Sequence, residues 1–278
     1  MGERILLIMM NDFKNMNGIF LSAILAILLL TACNTAEKKE VNEQEQVKDN
    51  MLSESEKKAG WKLLFDGKTF DGWRGLGRET VPKEHWKIEE GTIRKLNSGL
   101  VPSLPDGQPI EGGDLMTIQT FDNYELYFEW KLTQAGNTGL KYNVSEEMSM
   151  ASGSQYSALG FEYQLLDDKD TTYVGKIKPT QFTGCLYDMI APEGAVVRPL
   201  GEYNSSRILV DGNHVEHWLN GKKVVEYEFG SERLDSLFKL SKYKDTPDFH
   251  KKRKGHIVLQ NHKDDAWFRN IKIREINS

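Results

Sequence analysis

Gly160-Phe161-Glu162-Tyr163-Gln164-Leu165 sets a carboxylate and an amide two residues apart in an alternating pattern. In a strand of period two, Phe161, Tyr163 and Leu165 share one face, and Glu162 with Gln164 take the other. A carboxylate beside an amide suits hydroxyl recognition and proton transfer, although the second face of a strand is often simply wet. Gly255 to His262 alternates likewise, with Ile257 and Leu259 on one side and His256, Val258, Gln260 and His262 on the other. His262 is therefore a candidate acid, base or metal ligand, with a hydrogen-bonded turn residue as the alternative. Asp188 follows Cys185-Leu186-Tyr187 and precedes Ala191-Pro192-Glu193-Gly194, so it either marks a strand end at a groove rim or caps a turn. Arg207, His214, Glu216 and Trp218 form a further set. Glu216 and Trp218 share a strand face, and an indole beside a carboxylate makes a platform suited to a sugar ring; the alternative for Trp218 is core packing. Lys141, in the run Gly139 to Val144, joins Gln164, Gln260, Arg207, Glu216 and Trp218 as a substrate-binding candidate.

These side chains need strands to hold them. Runs of β-branched and aromatic residues recur between Gly, Asn and Asp from Trp61 onward: Tyr124 to Leu132, Gly139 to Val144, Gly160 to Leu166, Ser206 to Val210, His256 to Gln260 and Trp267 to Ile273. Glu90-Gly91 and Asn220-Gly221 predict two-residue hairpin turns. Arg269 is expected to pair with a carboxylate such as Glu129 and lock two strands. Leu234, Leu237 and Phe238 are spaced for one short helix, Ser231 to Leu240, in a polar insertion. No period of 20 to 50 residues repeats, which argues against propellers and solenoids. The fold class is all-β: a two-sheet antiparallel β-sandwich of jelly-roll type with a small peripheral helical insertion.

With 278 residues, 39% apolar and 10% aromatic, the chain can bury one sizeable core. A formal net charge of -5 disfavours nucleic acid as a partner. Cys33 and Cys185 are the only cysteines, which excludes a disulfide framework and a Cys-rich zinc site. An apolar run from Ile19 to Leu30, too short for a comfortable membrane span, ends in Leu30-Thr31-Ala32-Cys33, the pattern of a lipoprotein signal. Residues 1–32 are read as that signal, Cys33 as the lipidated residue, and 33–59 as a flexible tether with a capping box at Ser53 and Glu56. Residues 60–278 form the folded domain. Met16, just ahead of the apolar run, is a second candidate start. The expected location is the cell envelope, lipid-anchored, at an outer membrane.

Several motifs occur together in order: Leu64-Phe65-Asp66-Gly67-Lys68 through Trp73, Tyr124 to Trp130, Asn137-Thr138-Gly139, Glu162 to Asp167, His217-Trp218-Leu219-Asn220-Gly221, Gly255 to His262, and Phe268-Arg269-Asn270-Ile271. Over Gly60 to Ile276 they resemble the 3-keto-disaccharide hydrolase domain family. Asn261 stands where that family commonly has Asp before the His, and Thr138 where Ser is usual; both keep a hydrogen-bonding side chain. The resemblance implies a concanavalin-like jelly roll, in which the concave face of the larger sheet is the usual saccharide groove, and it tips the Glu162 and Gln164 strand toward function; Glu162, His262 and Asp188 are the candidate catalytic residues. It also implies an enzyme acting on 3-keto-glycosides or 3-keto-disaccharides and a functional link to a sugar 3-dehydrogenase.

A ketone at carbon 3 makes the hydrogen on carbon 2 acidic. One base can then remove it, expel the group on carbon 1, and let water add back. The enolate would need Gln and Arg donors or a divalent cation. No cofactor is assigned, and the metal stays unspecified. The alternative is a noncatalytic carbohydrate-binding module. A conventional endo-glucanase is weakened because no Glu-x-Asp-x-x-Glu strand motif occurs.

Overall fold

The computed structural model describes residues 48–96, 112–151 and 157–276, all within one compact unit. The expected signal (1–32), the lipidation candidate Cys33 and the tether up to residue 47 lie outside the described residues. In chain order the elements are α1 (Glu54–Lys58), β1 (Trp61–Leu63), β2 (Trp73–Gly75), β3 (Trp86–Glu89), β4 (Thr92–Lys95), β5 (Leu115–Thr117), β6 (Tyr124–Leu132), β7 (Asn137–Ser145), α2 (Glu146–Ala151), β8 (Leu159–Leu166), β9 (Asn204–Asp211), β10 (His214–Leu219), β11 (Lys222–Glu228), α3 (Glu232–Leu240), β12 (His256–Leu259) and β13 (Ala266–Glu275).

Two antiparallel sheets result, as the alternation predicts. One runs β11-β10-β9-β6-β13-β4-β3, with β1 added alongside β13; the other has five strands in the order β2-β5-β12-β7-β8. Between them lies one aromatic-rich core in which Trp86, Phe128, Trp130, Tyr142, Phe161, Tyr163 and Phe268 are buried. Burying such residues contributes most of the stability, at about 1.5–3 kcal/mol for each large apolar side chain. Both expected hairpin turns form, because Glu90-Gly91 and Asn220-Gly221 take positive φ at both positions, which matches the twist of the flanking strands. Arg269 Nε donates to Glu129 Oε2 at 2.8 Å across the β6–β13 pair. Ser231 caps α3 by accepting from the Leu234 N–H.

The folded part begins before the expected boundary at residue 60. Asn50 is buried, donates from Nδ2 to the Gly91 carbonyl at 2.8 Å and exchanges two further hydrogen bonds with Asn270. Asp49 pairs with Arg269 at 2.6 Å, and Glu56 of the capped α1 pairs with Lys272. A polar composition predicts a tether; specific side-chain to backbone bonds and ion pairs dock the last part of it onto the larger sheet.

Candidate active site

Register across the five-stranded sheet decides which side chains can meet. Arg74 pairs with Met116, Met116 with Val258, Val258 with Lys141 and Lys141 with Glu162, so all five stand in one row on one face. The opposite face packs into the core, since Leu115, Leu259, Leu140 and Tyr163 form the next row. One step further, Gly139 pairs with Gln164, and the Gln260 N–H donates to the Gly139 carbonyl at 2.9 Å. Lys141, Glu162, Gln164 and Gln260 therefore share the outer face of the smaller sheet, where all four are buried. The groove expected on the larger sheet is not where Glu162 lies, because β8 pairs with β7 and not with any strand of the eight-stranded sheet.

Within this cluster each contact has a physical reason. A Cβ on Gly139 would sit 2.6 Å from Glu162 Oε1, so the missing side chain leaves the space into which the carboxylate lies. With its NH2 turned to the carboxylate, Gln164 donates to Glu162 Oε1 and to the Thr138 carbonyl, both at 3.1 Å. Lys141 Nζ donates to Ser157 Oγ at 2.6 Å and to the Ala158 carbonyl at 3.1 Å. Gln260 Oε1 is buried without a hydrogen-bond partner among the described residues, an acceptor able to take one more hydrogen bond. His262 is buried just beyond it on the segment leaving β12.

Two contributors escape sequence reasoning. Asp114, fully buried just before β5, accepts the Asn261 N–H on Oδ1 at 2.7 Å and the Ala158 N–H on Oδ2 at 2.9 Å. Burial pushes its carboxyl up, while Lys141 and those two N–H groups pull it down. Its signal was slight: β5 has three residues, too few to display alternation. Tyr187 is the other. Its N–H donates to the Glu162 carbonyl at 3.0 Å, its hydroxyl accepts from Gln181 Nε2 at 2.9 Å, and Lys242 Nζ stands 4.6 Å from its ring centre.

Asp188 lies next to Tyr187 but is committed elsewhere: Oδ1 meets Lys178 Nζ at 3.0 Å and Oδ2 accepts the Lys242 N–H at 2.7 Å. It ties loops at positive φ, the turn-capping alternative, and is not free to act as a base. Arg207, Glu216 and Trp218 belong to the other side of the sandwich. Ile208, Val215 and Leu219 point into the core, so these three face outward from β9 and β10, with two sheets about 10 Å apart between them and Glu162. There they bind one another: Trp218 Nε1 donates to Glu216 Oε2 at 2.7 Å and Arg207 stacks 4.1 Å from the indole centre. They cannot touch a ligand held at Glu162. Among the described residues, His214, Glu216 and Glu226 bring ligand atoms within 4.8 Å of one another, but Lys223 bonds both carboxylates, and this trio too is on the far side.

The sandwich places the chain among jelly-roll proteins, and comparison with known proteins narrows that class. Residues 60–274 match the family model described as a 3-keto-alpha-glucoside-1,2-lyase-like domain. The chain belongs to that family and is a hydrolase. It is 34% identical over 236 residues, 78% of this chain and 79% of the relative, to a protein of Bacteroides thetaiotaomicron VPI-5482 named 3-keto-disaccharide hydrolase. A crystal structure of a candidate glycosyl hydrolase from Parabacteroides distasonis ATCC 8503 superposes with a TM-score of 0.71 at 32% identity, covering 83% of this chain and all of that one. A second such structure from the same organism gives 0.57 at 25% identity, covering 78% and 99%.

Proposed function

We propose that this protein cleaves 3-keto-glycosides, including 3-keto-disaccharides, by elimination followed by hydration. Support comes from the number of usable carboxylates. A conventional glycosidase needs two flanking the scissile bond. Asp114, the other carboxyl group built into this cluster, spends both oxygens on backbone N–H groups, which leaves Glu162 as the base. Glu162 takes the proton from carbon 2, the electron pair moves toward the carbon 3 oxygen as an enolate, and the enolate expels the oxygen on carbon 1. Water then adds to carbon 1 of the unsaturated ketone and a proton returns to carbon 2, so the net change is hydrolysis. The Lys141 ammonium, opposite Glu162 in the register, supplies the positive charge that an enolate needs. Gln164 and Gln260 hold sugar hydroxyls, and His262 exchanges protons with the departing and entering oxygens.

The substrate implies a separate sugar 3-dehydrogenase that makes the ketone. The Leu30-Thr31-Ala32-Cys33 box supports export and lipid anchoring at Cys33 in the cell envelope; fractionation with membranes that survives Cys33→Ala would contradict that part. The central experiment is Glu162→Gln, which keeps shape and removes the base. Cleavage of a 3-keto-disaccharide should fall by roughly 100-fold or more while binding persists. Normal cleavage by this variant would overturn the assignment.

A further inference from the structure

Asp114 stands where the two arms of the site meet. Its Oδ1 accepts from the N–H of Asn261, the residue between Gln260 and His262. Its Oδ2 accepts from the N–H of Ala158, whose carbonyl, with Ser157 Oγ, receives the Lys141 ammonium. One side chain thus fastens the exit of β12 to the segment entering β8 that cradles Lys141. Fully buried and with both oxygens spent, Asp114 cannot itself reach a substrate. Burial raises the Asp114 pKa, Lys141 and the two backbone N–H groups oppose that rise, and Glu162 lies close enough to add to it.

We infer that Asp114 is a positioning residue, which holds the Lys141 ammonium on the reacting face through the Ser157–Ala158 segment. The role of Lys141 rests on the function proposed above; the anchoring does not. Replacing Asp114 by Asn keeps one acceptor but turns an NH2 toward the other backbone N–H. A buried donor is then left without a partner, the costly kind of loss. The Ser157–Ala158 segment should loosen, and with it the ammonium.

Two measurements on the full chain test this. In the first, amine reductive methylation followed by peptide mass spectrometry compares wild type with Asp114→Asn. Lys141 should label several-fold faster in the variant, while Lys95, buried on a strand of the other sheet, should label as in wild type. The second is a kinetic cycle on a 3-keto-disaccharide: Asp114→Asn should lower kcat roughly tenfold or more with KM little changed, and should add no further loss in a Lys141→Met background. Labelling of Lys141 that stays at the wild-type rate, or kcat losses that multiply in the double variant, would overturn the inference. Should Asp114→Asn fail to fold, Asp114→Ser, whose hydroxyl keeps one acceptor, takes its place in both measurements. If wild type cleaves no keto sugar, the proposed function falls and the labelling still decides the anchoring.

Discussion

Glu162 owes its placement to a neighbour with no side chain. The carboxylate lies in the space above Gly139, and Gln164 holds one of its oxygens there. Because Gly139 sits inside a paired strand with no positive φ, alanine fits the backbone, and the nearest atoms its Cβ would meet, Oε1 at 2.6 Å, Cγ at 2.9 Å and Cδ at 3.1 Å, all belong to Glu162. Gly139→Ala should therefore lower kcat on a keto sugar by up to roughly 100-fold, the scale of an ångström of misplacement, with the melting temperature nearly unchanged. Full activity in Gly139→Ala would mean that the carboxylate need not lie where it does. Alternation along Gly160 to Leu165 was enough to send Glu162 and Gln164 off the core. It could not show that Asp114 and Tyr187 flank them, because those contacts join residues dozens of positions apart in segments too short or too irregular to carry a period.

Among the elements, pairing matters more than pattern. Period two separates the faces of any one strand, so β8, β10 and β12 each display an inward and an outward set. Every outward set looks alike in sequence, whichever sheet it leaves from. Glu216 with Trp218 on β10 and Glu162 with Gln164 on β8 are the same motif by that measure. Only the long-range register puts the first on the eight-stranded sheet and the second on the five-stranded one. On β10 the indole is clamped by Glu216 and Arg207, a set of contacts that stabilises its sheet and serves no sugar at Glu162. Trp218→Ala is accordingly expected to leave kcat and KM on a 3-keto-disaccharide unchanged. A large rise in KM would show that the outer face of the larger sheet takes part in substrate binding after all. The strands to within a residue or two at either end, both hairpin turns and the Arg269–Glu129 pair were legible because each depends on residues a few positions apart or on charge alone; the division into sheets was not.

For the whole molecule, the two sheets are joined through the core by polar groups as well as rings. His217 on β10 reaches Tyr142 on β7 at 2.7 Å and bonds the Gly184 carbonyl at 3.0 Å beside β8. Burial lowers the His217 pKa to about 4. Above its unfolded value, roughly 6.5, the imidazole is neutral in both states. As pH falls from there through about 4, the unfolded chain takes up a proton that the folded chain refuses, so this residue's contribution is lost over that window, on the order of 3 kcal/mol. Urea unfolding at pH 7 and pH 5 should show a steeper loss in wild type than in His217→Gln; equal slopes would contradict it. The catalytic account is tested most directly by incubating the wild-type protein with a 3-keto-disaccharide carrying hydrogen or deuterium at carbon 2, beside the unoxidised parent, and following both sugar products in single turnovers. The keto substrate should be cleaved, more slowly when deuterated, and the parent left intact. Cleavage of the parent at a comparable rate, with no difference between the two isotopic forms, would contradict elimination at carbon 2.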